Sequence, residues 1–271
     1  MPLVSVNGAR VHVEDTGAPP GRPDAPAVVF GHGLLFSGLM FAAQVERLRS
    51  RYRCVTIDWR GQGRSPAAPD GYDMDALAAD ATVIVESLDA GPVHYVGLSR
   101  GGFVGLRLAA RRPDLVRSLT LLDTSSGPED PDKISRYRLL GRVYRWVGMG
   151  PLRGQVEPIM FGPTFLADPG SRVHTDDWMR VLKGVERRGM QRAIHGVTDR
   201  APVHDLLPAI TAPTLVVVGA EDVATPVAKA EAIHAGIAGS RLEVVPAAGH
   251  SSTIEQPAVL ADLIEAHVDA H

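Results

Sequence analysis

Three side chains of this 271-residue sequence have the types and spacing for nucleophilic chemistry. Ser99 stands in Gly97-Leu98-Ser99-Arg100-Gly101-Gly102, directly after the strand-like Val93-His94-Tyr95-Val96 and before the helix-like Phe103-Val104-Gly105-Leu106. A Gly-x-Ser-x-Gly run at a strand-to-helix junction places the serine on a tight, strained turn. The glycines two residues before and after it are steric requirements, because a β-carbon at either position would crowd the turn. The free N–H groups of the helix that follows point toward a reacting centre where an oxyanion develops. A serine hydroxyl is a poor nucleophile until a base removes its proton, so the motif predicts a histidine and an orienting carboxylate. Val216-Val217-Val218-Gly219-Ala220-Glu221-Asp222 puts Asp222 just past a buried strand, and Val244-Val245-Pro246-Ala247-Ala248-Gly249-His250 puts His250 just past the next. Asp123, at the end of Leu119-Thr120-Leu121-Leu122, is the rival carboxylate; Glu221 reads as solvent-facing.

These residues need elements to bring them together. Apolar runs too continuous for a half-exposed sheet occur at 27–30, 54–57, 93–98, 119–122, 215–218 and 242–245, as expected for parallel strands covered on both faces. Between them lie stretches with helical spacing at 74–88, 103–110, 227–237 and 259–268. Near the N-terminus, Leu3 to Val6 and Arg10 to Glu14 flank an Asn7-Gly8 turn and read as a hairpin. The alternation predicts an α/β fold. Strand ends on one edge of a parallel sheet meet in space, so Ser99, Asp222 and His250 can converge although far apart in the chain.

The alternation breaks between about Gly127 and Asp205. That stretch has helical patterns punctuated by glycine and proline, with 13 basic and 10 acidic residues, against a net charge of -3 for the whole chain. It also holds four of the seven methionines and two of the three tryptophans. The expected organisation is a core of residues 1–126 and 206–271 with a helical lid at 127–205. Leu139, Leu140, Val143, Tyr144, Trp146 and Val147 read as a lid-helix face turned to a pocket. Arg136, Arg138, Arg142 and Arg145 read as a solvated face, with a substrate-carboxylate clamp as the alternative.

Taken together, Phe30-Gly31-His32-Gly33-Leu34, Asp58-Trp59-Arg60-Gly61-Gln62-Gly63-Arg64-Ser65, the Ser99 turn and the Asp222 and His250 segments make the sequence resemble the α/β-hydrolase superfamily along nearly its whole length. The order Ser, Asp, His is that of the family. The resemblance implies a mostly parallel eight-stranded sheet flanked by helices, with an inserted helical lid. It implies Ser99, Asp222 and His250 as catalytic residues, and the backbone N–H groups of Leu34 and Arg100 as the oxyanion hole. His32 is implied to shape the oxyanion loop. Candidate pocket residues are His32, Leu35, Trp146, Met160 and Trp178. The compact bacterial members that the chain resembles include carboxylesterases, enol-lactonases, cofactor-free haloperoxidases or perhydrolases, and C–C bond hydrolases. The expected activity is hydrolysis of a small to medium, moderately apolar ester or lactone. A ligand-sensing protein retaining the fold is the alternative of another class. Dehalogenase and epoxide hydrolase chemistry are disfavoured, since both need aspartate where Ser99 stands.

Composition narrows the remaining classes. The near-neutral balance, pI about 6.4, leaves no electrostatic footprint for nucleic acid, and no apolar run approaches a membrane span. Gly61-Gln62-Gly63 lacks the third glycine of a dinucleotide site, no phosphate-binding loop occurs, and no metal-ligand spacing is present. No cofactor or metal is expected; a homodimer is possible. The one cysteine, Cys54, lies in an apolar run and reads as a small buried hydrophobe. The segment Met1 to Gly8 lacks the basic and apolar regions of a signal peptide, so a cytoplasmic setting is the expectation.

Overall fold

A computed structural model describes residues 3–271; Met1 and Pro2, the first residues of the N-terminal segment read above, lie outside them. Eight strands form one sheet in the order β1-β2-β4-β3-β5-β6-β7-β8. They are β1 (Leu3–Val6), β2 (Ala9–Asp15), β3 (Ala27–Gly31), β4 (Arg53–Asp58), β5 (Val93–Leu98), β6 (Val116–Leu122), β7 (Thr214–Gly219) and β8 (Arg241–Val245). β1 and β2 form an antiparallel hairpin at one edge, and β2 pairs antiparallel with β4; the other pairings are parallel. Asn7 and Gly8 both have positive φ, 42° and 77°, the backbone of a two-residue turn whose twist suits a hairpin.

Side chains alternate across the central strands. Val28, Phe30, Val96, Leu98, Leu122 and Val217 enter one core with α1 (Ala42–Leu48) and, at the chain's end, Leu260, Ile264 and Val268. Val29, Val55, Ile57, Tyr95, Leu121 and Val218 enter the other, beneath α2 (Met74–Ser87) and α3 (Arg100–Arg111). α2 starts where the Asp73 side chain accepts the Ala76 N–H, 2.9 Å. Burial on both faces explains the continuous apolar runs. β8 departs from that expectation: it is the edge strand, and only Val245 of its five residues is buried. Cys54 is buried, and burial pushes its thiol up to about 12.

Between β6 and β7 the chain is helical, with α4 (Pro131–Val147), α5 (Arg153–Met160), α6 (Pro163–Ala167), α7 (Arg172–Lys183) and α8 (Arg187–Thr198). After β7 come α9 (Val227–Gly236), α10 (Ser252–Glu255) and α11 (Pro257–Asp269). His267, which reads as a surface residue on its helix, is buried against Pro213, 3.2 Å from its carbonyl. The α4 face is split. Leu140 and Tyr144 face inward to a cleft, while Leu139, Trp146 and Val147 are half or more exposed, Trp146 at 76%.

Candidate active site

Ser99 sits between β5 and α3 at φ 52°, ψ -112°, a backbone that a non-glycine residue holds only when its surroundings impose it. Its N–H donates to the Leu122 carbonyl, 2.8 Å, and its carbonyl accepts from Thr124 Oγ1, 2.8 Å. The flanking glycines have their reason here: a β-carbon on Gly97 would lie 2.4 Å from the Gly101 carbonyl oxygen, and one on Gly101 would lie 1.9 Å from that of Gly31.

The carboxyl-terminal sheet edge brings the remaining groups to Ser99. Beyond the β7–β8 register Gly219↔Val245, Ala220 N–H donates to Val245 and Glu221 N–H to Ala248, so the two loops run together. His250 Nε2 lies 2.9 Å from Ser99 Oγ, and its Nδ1 lies 2.9 Å from Asp222 Oδ2. Asp222 Oδ1 accepts the Ala224 and Thr225 N–H groups at 2.8 and 2.9 Å, and Oδ2 accepts the Thr225 hydroxyl at 2.7 Å. All three residues are buried. Burial opposes charge on the His250 ring, but the Asp222 carboxylate and its hydrogen bond outweigh it and hold the imidazole above its ordinary 6.5. Burial likewise opposes ionisation of Asp222, and His250 with the Thr225 hydrogen bonds overcomes it, leaving the carboxyl below its usual range.

Asp123, the rival carboxylate, points elsewhere. It accepts Gly219 N–H, 2.8 Å, and the Ser252 hydroxyl, 2.5 Å. Burial, reinforced by the nearby Asp222 charge, raises its pKa well above the carboxylate range.

The Leu34 and Arg100 amides donate to no protein acceptor among the described residues, which leaves both free for an oxyanion. Gly33 brings the Leu34 loop close: a β-carbon there would lie 3.4 Å from Ser99 Cβ. His32 holds that loop from behind. Its Nδ1 donates to the Gly33 carbonyl, 2.7 Å, while Nε2 accepts from Trp59 N–H, 3.0 Å. Burial lowers it to about 4, so the ring is neutral at pH 7.

The cleft over Ser99 is lined by Leu34, Leu35, Phe103, Leu140, Met160 and Ile194, among others, together with Ser99, Thr225 and His250. Besides His250, the only acidic or basic wall residue among the described residues is Glu129, whose carboxylate is paired with buried Arg200, 2.8 Å. Leu35 and Met160 line it. Three expected pocket residues do not. His32 is sealed behind the oxyanion loop. Trp146 lies on the outer face of α4, with the Arg145 guanidinium over its ring. Trp178 is buried between Phe36 and Phe161 and donates its indole N–H to the Leu35 carbonyl, 3.0 Å, because a buried indole must place that hydrogen. None of Arg136, Arg138, Arg142 or Arg145 reaches the cleft; Arg138 pairs with Asp199 and Arg145 bonds Gln191.

Sequence reasoning missed several supports. Glu221, expected in solvent, is half-buried and accepts Thr164 N–H, 3.0 Å. Gln62 accepts the Leu35 N–H, 2.9 Å. Glu255 accepts the N–H groups of Gly162, Gly249 and Ser251. Thr225 could have been found from its position three residues after Asp222, a spacing at which a carboxylate meets backbone N–H groups; Glu255 and Gln62 carry no local signal. Among the described residues there is no cluster of His, Cys, Asp or Glu able to hold a metal ion, and no helix long and apolar enough to cross a membrane.

The family of α/β-hydrolase-fold domains matches residues 26–149, and a TAP-like family matches residues 191–269. A protein of Variovorax paradoxus described as the putative carbamate hydrolase RutD is 32% identical over 244 residues, covering 88% of this chain and 90% of its own. Among solved structures, a thermophilic esterase from Thermogutta terrifontis superposes with a TM-score of 0.87 at 28% identity, over 97% of this chain and 94% of its own. The enol-lactonase from Burkholderia xenovorans LB400 gives 0.89 at 26%, over 99% and 100%. With this sheet order and serine turn, the chain belongs to the α/β-hydrolase superfamily.

Proposed function

We propose that the protein is a serine hydrolase that cleaves an uncharged, small to medium apolar ester or lactone through an acyl-enzyme on Ser99. The observation that carries this reading is the continuous relay Ser99 Oγ, His250, Asp222 at 2.9 Å per step, opening on an apolar cleft. His250 takes the Ser99 proton as Ser99 Oγ attacks the carbonyl carbon; the Leu34 and Arg100 N–H groups hold the oxyanion; His250 then gives the proton to the leaving alcohol. Water repeats the cycle on the acyl-enzyme. Each oxyanion donor contributes about 2.7–4 kcal/mol of transition-state stabilisation.

The helical stretch 127–205 acts in this reading as a lid that sets substrate choice, since Leu140, Tyr144, Met149, Leu152, Met160 and Ile194 all wall the cleft. The wall offers no unpaired cation, which argues against substrates carrying a carboxylate. The names of the relatives as a carbamate hydrolase, an esterase and an enol-lactonase support acyl transfer and leave the leaving atom open. A panel of p-nitrophenyl acetate to octanoate esters beside neutral and carboxylated lactones tests the reading. Turnover of neutral apolar esters, absent in Ser99→Ala, is expected. Equal turnover by Ser99→Ala sinks the nucleophile, and preference for carboxylated substrates sinks the substrate class.

A further inference from the structure

Arg100 supplies an amide to the oxyanion hole, and its side chain has no evident structural reason. The residue is 0% exposed, and none of its three guanidinium nitrogens has a hydrogen-bond partner in the protein. No salt bridge reaches it among the described residues, whereas the other buried arginines, Arg60, Arg107 and Arg200, each have a carboxylate partner. No carboxylate among the described residues comes within ion-pair distance of Arg100. Burial lowers its pKa to about 9, so it still carries its proton at neutral pH.

Its place in the fold is specific. Arg100 is the first residue of α3, and its charge is felt at His32, whose Nδ1–H is bonded to the Gly33 carbonyl on the oxyanion loop. Gln62 holds Leu35 N–H, on the same loop, through Oε1. A buried charge without a partner destabilises a fold, and an apolar residue of like size is the more stable choice. Such cost is characteristic of functional sites.

We infer that the Arg100 side chain is a fixed, buried cation behind the oxyanion hole, stabilising the negative charge that develops on the substrate oxygen between the Leu34 and Arg100 amides. The inference rests on Ser99 being the nucleophile. An arginine side chain spans about 7 Å, which places its charge within about 10 Å of that oxygen. At that range, in a protein environment, the field changes the stability of an anion by on the order of tenfold. The guanidinium touches no reacting atom and acts through space.

The test separates charge from packing. An alkylboronic acid mimics the charged state: Ser99 Oγ bonds to boron, the serine proton passes to His250, and the four-coordinate boron carries the negative charge. A primary alcohol of the same chain length fills the cleft without charge. In Arg100→Met and Arg100→Gln, boronate affinity is expected to fall about tenfold or more while alcohol affinity holds, kcat to fall with KM unchanged, and the Met variant to melt higher than the parent. Arg100→Lys is expected to restore most of the boronate affinity. Parental boronate affinity in either folded variant overturns the inference. So does failure of both to fold, since the guanidinium would then be a structural requirement. Boronate binding that is the same in the parent and in Ser99→Ala removes the nucleophile reading, and the inference with it; Ser99-dependent binding that is indifferent to Arg100 removes the inference alone.

Discussion

The buried carboxylate of Glu255 accepts the backbone N–H of Gly162, 2.8 Å away, and through the same oxygen that of Gly249, also at 2.8 Å. One side chain thus ties the helical stretch between β6 and β7 to the residue just before His250. Its other oxygen accepts Ser251 N–H, 2.9 Å, and the Ser251 hydroxyl donates to the Met160 carbonyl, 2.6 Å. The histidine and one wall of the cleft are therefore held as a unit.

Replacing Glu255 by glutamine puts an amide NH2 among donors. Each buried N–H left unmatched costs about 1–3 kcal/mol. Thermal unfolding of Glu255→Gln is expected several degrees below the parent, with turnover reduced and the ester preference blurred. Parental melting and turnover would show that the clamp contributes nothing.

The pH dependence follows from His250. In the proposed mechanism the neutral ring is the base, so activity is lost as pH falls through the folded-state pKa, which lies above 6.5. A plot of kcat/KM against pH is expected to have its acid midpoint above 6.5. Asp222→Asn removes the charge that holds the ring up, so the midpoint should move down.

The two carboxylates separate cleanly. Asp222→Asn should cut kcat by about four orders of magnitude, through loss of the imidazole tautomer and of imidazolium stabilisation. Asp123 contacts Gly219 and Ser252 and not His250, and its carboxyl is pushed toward the neutral form that asparagine resembles. Asp123→Asn should retain most of the activity in the same ester assay; the reverse ranking would transfer the role to Asp123.

Trp178 holds the Leu34–Leu35 loop through the Leu35 carbonyl. Trp178→Phe keeps aromatic packing against Phe36 and Phe161 but deletes the N–H, leaving that carbonyl short of a donor at a cost of about 1–3 kcal/mol. The expected signature is a lower kcat with a nearly constant KM across esters of different chain length. A change in chain-length preference instead would place Trp178 in the cleft wall.

Acid stability depends on histidines away from the cleft floor. Burial lowers His32, His94 and His267 each to about 4 from 6.5. Between those values the unfolded chain binds more protons than the folded one, so stability falls as pH drops from 6.5 toward 4. The slope is at most about 1.4 kcal/mol per pH unit for each. The Asp123 and Glu255 carboxyls, shifted up, run against it in that range, whereas His250, held above 6.5, adds its pH dependence above 6.5. Urea midpoints at pH 6.5, 5.5 and 4.5 should decline, less steeply in His94→Asn; a flat series would refute the linkage.

The sheet and the order of its chemistry-bearing loops were legible in the sequence because both depend on local rules. Continuous apolar runs mark strands covered on both faces, Asn7-Gly8 marks a turn needing positive φ, and the Ser99 turn marks itself by the two glycines whose β-carbons would strike backbone. β8 misled because Leu242, Val244 and Val245 read as part of a covered strand, although Arg241 and Glu243 stand beside them and the strand lies at the sheet edge. Trp146 and Trp178 show the limit more sharply. Both are aromatic residues in one helical stretch, yet one is on the outer surface beside Arg145 and the other is bonded to Leu35. Local spacing says that a helix has an apolar side; which side meets the cleft depends on how five helices pack over the sheet edge. That Asp222 rather than Asp123 meets His250, that Glu255 clamps three amides and that Arg100 lies unpaired are set at that level, because hydrogen-bond direction and burial are properties of groups distant in the chain and close in space.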